Sequence, residues 1–218
     1  MPAPHTDLDY VAHLALVVRT FSDAATTYWN YREWLFDFEH HKALPQEAKI
    51  AQNVMSQTLS AGAGTSLLAM WEKPDGVDSQ TYSVLAAYEY LAFANHNLDS
   101  AYDERRSLSR LSVNPNARLL GIRLCYRVAN SSMLLSMRNI RNKYWAHRIE
   151  STRQELKGKE FLDVQFKHID TLYVCTAAAL HLLFESLSPE TEKVVRSEIE
   201  KATMSARLLA QARNASTQ

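Results

Sequence analysis

Four internal prolines, at 45, 74, 115 and 189, constrain this chain more than any other feature. Each stands at the edge of a segment whose apolar residues recur at three and four positions. Proline has no N–H to give and fixes its own φ, so it is tolerated at the first turn of a helix but breaks a helix interior. Prolines placed only at the borders of 3.6-period segments therefore mark helix ends. With only five glycines in 218 residues, the pattern predicts an all-α, up-and-down helical bundle of five to seven helices. We expect a single helical domain over 1–218, with no linker, repeat or low-complexity block.

In chain order, Thr6 or Asp7 caps a first helix running to about His40. Leu8, Val11, Ala15, Val18, Ala25 and Trp29 form its expected inner stripe, and Leu14, Phe21, Tyr28 and Leu35 a second row beside it. A stripe that wide suggests two neighbours or another subunit. Pro45 opens a second helix, with Ile50, Val54, Thr58 and Ala61 as its expected inner face. The glycines of GAGTS, Gly62 and Gly64, lack the lysine of a P-loop, and the third glycine of GxGxxG would fall on Leu67. Close helix packing or a kink is the expectation there. A turn at Lys73–Gly76 precedes a third helix over about 80–93, and a short basic helix is expected over about 99–111. A long central helix should run from about Asn116 to Ile149, followed by a loop with Gly158 over about 150–160. A very apolar helix over about 162–187 comes next. Ser188-Pro189-Glu190 is a helix start for the last segment, about 189–213.

Formal net charge is zero, yet the charge is unevenly spread. Of the 24 basic residues, ten lie between Arg105 and Arg148, where there is no Asp or Glu. The rest of the chain holds 14 basic residues and all 24 acidic ones. A neutral chain can thus present a basic face. On one ideal helix, Arg123, Arg127, Arg138, Arg141 and Arg148 fall within an arc of roughly 80°. Ile122, Ala129, Met133, Ile140 and Tyr144 fall within an adjacent arc of about 60°. Guanidiniums on one stripe repel, so they need acidic partners or an anionic ligand such as a phosphate.

The most chemically loaded stretch is Arg138-Asn139-Ile140-Arg141-Asn142-Lys143-Tyr144-Trp145-Ala146-His147-Arg148. Arginine binds phosphate oxygens bidentately, and histidine moves protons near neutral pH. On a straight helix Arg141 and His147 stand about 120° apart. Either the helix kinks before His147, or two copies of the stretch combine across a symmetric dimer.

RNKYWAH resembles the motif of the HEPN superfamily, an arginine and a histidine four to six residues apart with a polar residue after the arginine. Five residues separate Arg141 from His147, and Asn142 is the polar follower. The helical layout is similar to the abortive-infection-U type within that superfamily, over about 8–187. Where those proteins often show an Arg and an Asp, the segment SLLAMWEKPDG carries Ala69 and Glu72, a departure. The resemblance implies metal-independent RNA cleavage, often in toxins or antiviral defence, without a cofactor. His147 would act as general acid or base, Arg141 would stabilise transition-state charge, and Asn142 would orient a phosphate or imidazole. Arg123, Arg127, Arg138, Lys143, Tyr144 and Arg148 would contact RNA, with Tyr144 or Trp145 able to stack on a base. A homodimer is expected, and an antitoxin or regulatory protein is a possible partner. A tyrosine that some members carry two residues after the histidine is Ile149 here, so no modifying transferase is inferred. The alternative is a non-catalytic helical dimer binding RNA, a nucleotide or a protein through the same groove.

The other chemistry is sparse. His5, His13, His40, His41, His96, His168 and His181 form no HExxH or Cys/His cluster, so no metal is expected. Cys125 and Cys175 read as free thiols on apolar helices, which fits a reducing compartment. The N-terminus has no basic segment followed by an apolar run, so no signal peptide is expected. The most apolar run, 172–184, is too short for a span, and a cytoplasmic protein without membrane contact is the expectation.

Overall fold

The computed structural model describes residues 7–37, 45–73, 82–88, 113–146, 151–152 and 154–197. The protein is an all-α helical bundle, and the described residues contain no extended strand. Helix α1 spans Asp7–Asp37, α2 Gln46–Ala69, α3 Pro115–Ala129, α4 Ser132–Ile140 and α5 Phe166–Ser186. Residues 84–88 and 189–197 are also helical. Thr6, His40, the turn after Lys73, the segments 89–112 and 198–213, and His147 to Ile149 lie outside the described residues. No described helix is long and apolar enough to cross a membrane.

The chain forms two compact units, one of residues 1–20, 73–122 and 180–218, the other of residues 21–72 and 123–179. In the first, Tyr10, Val11, Leu14 and Val17 of α1 are buried, as are Val84, Leu85, Ala86 and Ala87, and Leu180, Leu183, Leu187 and Val195. The Tyr10 hydroxyl donates to the Ala87 carbonyl at 3.2 Å, which satisfies a polar tip inside an apolar core. Ser188 caps the helical segment 189–197, its Oγ accepting from the Thr191 N–H at 3.2 Å, in line with the Ser-Pro-Glu pattern.

The second unit buries Ala24, Tyr28 and Tyr31 of α1 with Leu67, Leu68, Met70 and Trp71. Cys125, Val128, Leu134, Met137, Ile169 and Leu172 complete that core. Trp71 is fully buried and its Nε1–H donates to Thr176 Oγ1 at 2.8 Å. Burial pushes the Cys125 thiol up to about 12, so it stays protonated and inert.

Three sequence expectations change. First, the buried seam of α1 runs Tyr10, Val11, Leu14, Val17, Ala24, Tyr28 and Tyr31, with Phe21 half-buried, so Val11 of the expected stripe is buried while Ala15, Val18 and Ala25 are only partly covered. The seam follows the row of Leu14, Phe21 and Tyr28, while Trp29 is 51% exposed; Leu8 and Leu35 lie outside the described side chains. Tyrosines supply the missing positions: the Tyr10 hydroxyl donates to the Ala87 carbonyl and the Tyr28 hydroxyl to Asp170 Oδ1 at 3.0 Å, while the buried Tyr31 hydroxyl meets no acceptor among the described residues.

Second, Ile50, Val54 and Thr58 of α2 are exposed and Ala61 only partly covered. Gln52, Ser60, Ala63, Gly64, Leu67 and Leu68 are buried instead. On an ideal helix the two sets differ by about 120° in mean direction. The half-buried Gly62 faces α1, where an added Cβ would make an ordinary contact with Thr27 Cγ2 at 3.5 Å. Helix α2 runs unbroken through Gly62 and Gly64, so no kink forms there.

Third, the long central helix is not continuous. It breaks at Asn130–Ser131, restarts as α4 and turns into a π helix over Arg141–Ala146. Asn130 Nδ2 donates to the Tyr126 carbonyl at 2.8 Å and ends α3. Ser131 caps α4, its Oγ accepting from the Leu134 N–H at 3.1 Å. The single-helix projection of the arginine arc therefore does not apply: Arg123 and Arg127 sit on α3, Arg138 on α4 and Arg141 on the π turn, and Arg148 lies outside the described residues. Helix α5 also starts later than expected, at Phe166.

Candidate phosphate-binding site at the end of α2

Helix α4 delivers the motif. Its inner face buries Leu134, Ser136, Met137 and Asn139, which leaves Arg138 and Arg141 directed along the end of α2. Arg138 donates from Nη2 to the Trp71 carbonyl. Burial, then the neighbouring Arg141 charge, pull the Arg138 guanidinium below its ordinary range, and Glu72 opposes them. Arg141 Nη1 donates to Glu72 Oε1 at 2.6 Å, and its Nε reaches Asn142 Oδ1 at 3.3 Å. Two cations thus meet the carbonyl-rich end of α2, where helix dipoles favour positive charge.

The π turn redirects the chain beyond α4. A π helix closes i→i+5 hydrogen bonds, occurs mostly as single turns, and is frequent at functional sites. Residues Arg141–Ala146 therefore depart from the ideal α projection, and the direction of His147 lies outside the described residues. Asn142 is exposed and Tyr144 is 56% exposed. Lys143 lies 5.3 Å from the Tyr144 ring centroid and 3.4 Å from Glu155 Oε1.

A polar clamp joins the motif to the loop containing the 3-10 turn Glu155–Lys157. Asn139, buried, donates from Nδ2 to Glu155 Oε1 at 2.8 Å and accepts from Thr152 Oγ1 at 2.6 Å. The Thr152 N–H donates to Glu155 Oε2 at 2.8 Å. That N–H, then the Asn139 amide, holds the Glu155 carboxyl below the usual range. Gly158 ends the turn at φ 76°, a left-handed conformation that favours glycine.

Of the candidate residues, the fold brings Arg138, Arg141 and Asn142 together at the end of α2. Arg138 and Lys143 are engaged by protein acceptors. Arg123 and Arg127 are exposed on α3, with no ion pair or hydrogen bond among the described residues. His147 and Arg148 lie outside the described residues, as does the Trp145 side chain. Asn139, Thr152 and Glu155 were not singled out as supporting groups, and Glu72 was named only as a departure from the family pattern. Only Asn139, a polar residue at an inward helical position inside RNIRN, left a readable signal. Compared with protein-family models, curated proteins and solved structures, the chain matches none.

Proposed function

We propose that this chain is a metal-independent endoribonuclease of HEPN type, a homodimer working in the cytoplasm as a toxin or antiviral-defence effector, and restrained by an antitoxin or regulatory protein. The observation that supports the reading is the state of Arg141. Its Nη1 and Nε are engaged by Glu72 and Asn142, while its Nη2 has no partner among the described residues. A guanidinium anchored on one edge and open on the other is suited to holding a phosphate oxygen in a fixed direction.

In the proposed reaction the RNA 2′-hydroxyl attacks the adjacent phosphorus. Its proton passes to a base, the new O2′–P bond forms, and the P–O5′ bond breaks. The 5′-oxygen leaves with a proton, giving a 2′,3′-cyclic phosphate and a 5′-hydroxyl. His147 supplies the proton transfers, Arg141 stabilises the extra charge on the phosphorane-like transition state, and Asn142 keeps the Arg141 edge aligned. Exposed Trp29, Ile50, Val54 and Met55 support the homodimer, whose mass light scattering at micromolar concentration measures directly.

A second reading has its own observation. The bonds of Arg138 to Trp71 and of Arg141 to Glu72 also suit a purely structural lock on α2, in a non-catalytic dimer that binds RNA, a nucleotide or a protein. Incubating mixed RNA with the protein in EDTA separates the two. The endoribonuclease cleaves, and an Arg141→Ala/His147→Ala double variant does not. Cleavage at equal rate by the double variant overturns the proposal.

A further inference from the structure

Helix α3 carries a feature that the motif does not absorb. Its inner side buries Ala117, Gly121, Cys125 and Val128. Its outer side, near the C-terminal end, exposes Arg123, Tyr126 and Arg127. Tyr126 is 72% exposed, more than any other described Phe, Tyr or Trp. A tyrosine ring ordinarily gains by covering its apolar body, so one held outward on a rigid helix presents a bare π face. Asn130 closes the turn behind it through the Tyr126 carbonyl, which keeps the backbone under the ring helical to its last residue.

The flanking charges are as telling. Arg32, Arg138, Arg141 and Arg196 each meet a protein acceptor, whereas Arg123 and Arg127, like Arg19 and Arg118, meet none among the described residues, and of these four Arg123 and Arg127 alone flank the exposed Tyr126. Residues three and four apart on a helix are neighbours, so Arg123 stands beside both Tyr126 and Arg127. No acidic residue occurs between 105 and 148 to neutralise them along the chain. Two open guanidiniums around one open ring match a nucleotide in which base and phosphate are both accessible. A duplex hides its base faces in the stack, and only a single strand offers them to an aromatic side chain.

We propose that Arg123, Tyr126 and Arg127 form a docking site for single-stranded RNA, with Tyr126 stacking on a splayed base and the two arginines holding the flanking phosphates; this rests on the proposal that the chain acts on RNA. The site lies on α3, apart in sequence from the cleavage motif, and captures the strand rather than cutting it.

The test measures binding of the full-length protein to a mixed-sequence single-stranded oligonucleotide with 2′-O-methyl riboses, which lacks the nucleophile and is not consumed. Tyr126→Ala should weaken binding about 5- to 150-fold, the effect of losing one stacked base, with the salt slope unchanged. Tyr126→Trp should retain wild-type affinity. Arg123→Ala or Arg127→Ala should lower the salt slope by about 0.7 each. A blunt duplex of the same sequence should bind more weakly and ignore Tyr126→Ala. Wild-type affinity in Tyr126→Ala, or equal sensitivity with the duplex, overturns the docking site while leaving the ribonuclease reading intact. A wild-type protein that binds no strand, cleaves no RNA and instead binds an acidic polypeptide through these residues overturns both.

Discussion

Arg141 and Glu72 meet across 2.6 Å, so the arginine that opens the RNKYWAH motif is tied to the residue just beyond the end of α2. Their side chains keep 25% and 45% of their exposure. An ion pair that wet contributes about 0–1 kcal/mol. Glu72→Gln should therefore change unfolding free energy by less than ~1 kcal/mol in chemical denaturation. Arg141→Ala should keep the wild-type thermal midpoint within a few degrees while cleavage falls about 10²- to 10³-fold. A large loss of stability in Arg141→Ala would assign the residue to packing.

The clamp behind the motif should respond differently. Asn139 is buried and its amide uses both its oxygen and its nitrogen on the 152–155 segment. Asn139→Ala strands the Thr152 hydroxyl and leaves Glu155 Oε1 with Lys143 as its one remaining donor, which should cost about 1–3 kcal/mol. Hydrogen exchange should speed up at the Thr152 and Gly158 amides before it does in α5. Unchanged exchange at those amides would show that the loop is held by other contacts.

These two sites show how far the sequence reaches. Helix starts marked by Ser188-Pro189, the all-α class and the turn at Gly158 were legible because each depends on a local backbone rule. The buried faces of α1 and α2 were not. On α1 the spacing marks the row of Leu14, Phe21 and Tyr28 but not Tyr10 or Tyr31, and on α2 the small residues Ser60, Ala63 and Gly64 face inward where Ile50 and Val54 were expected. The break at Asn130–Ser131 was missed because its sequence, ANSSM, carries no proline or glycine. A serine cap is ambiguous until the preceding turn ends. The pairing of Arg141 with Glu72 spans 69 residues, and no local pattern encodes such a distance.

In the other unit, a Cβ on Gly121 would overlap the Tyr88 ring. Gly121→Ala should destabilise by about 1–3 kcal/mol through overpacking, despite the better helix propensity of alanine. In a Tyr88→Ala background the same change should become neutral or stabilising. A double-mutant cycle by chemical denaturation reads the coupling, and additive values would contradict the contact.

His13 gives a pH signature. Burial lowers its pKa from the ordinary 6.5 to about 4, so the folded state holds the neutral ring. The unfolded chain takes up the proton first. Stability from this group is therefore full above about pH 6.5, falls as pH drops toward 4, and falls no further below that. The shift corresponds to on the order of 3 kcal/mol. Thermal midpoints between pH 7 and 4 should decline in the wild type and flatten in His13→Gln. Parallel curves for the two proteins would place the lost stability elsewhere.

The most direct test of the ribonuclease account is the chemistry of the cut end. A uniform RNA labelled at its 5′ end, incubated with the protein in EDTA, should give fragments ending in a 2′,3′-cyclic phosphate by mass spectrometry. The same oligonucleotide with a 2′-O-methyl group at each ribose should remain whole. Fragments ending in a free 3′-hydroxyl, or cleavage of the methylated strand, would mean that the 2′-oxygen is not the nucleophile and would contradict the account.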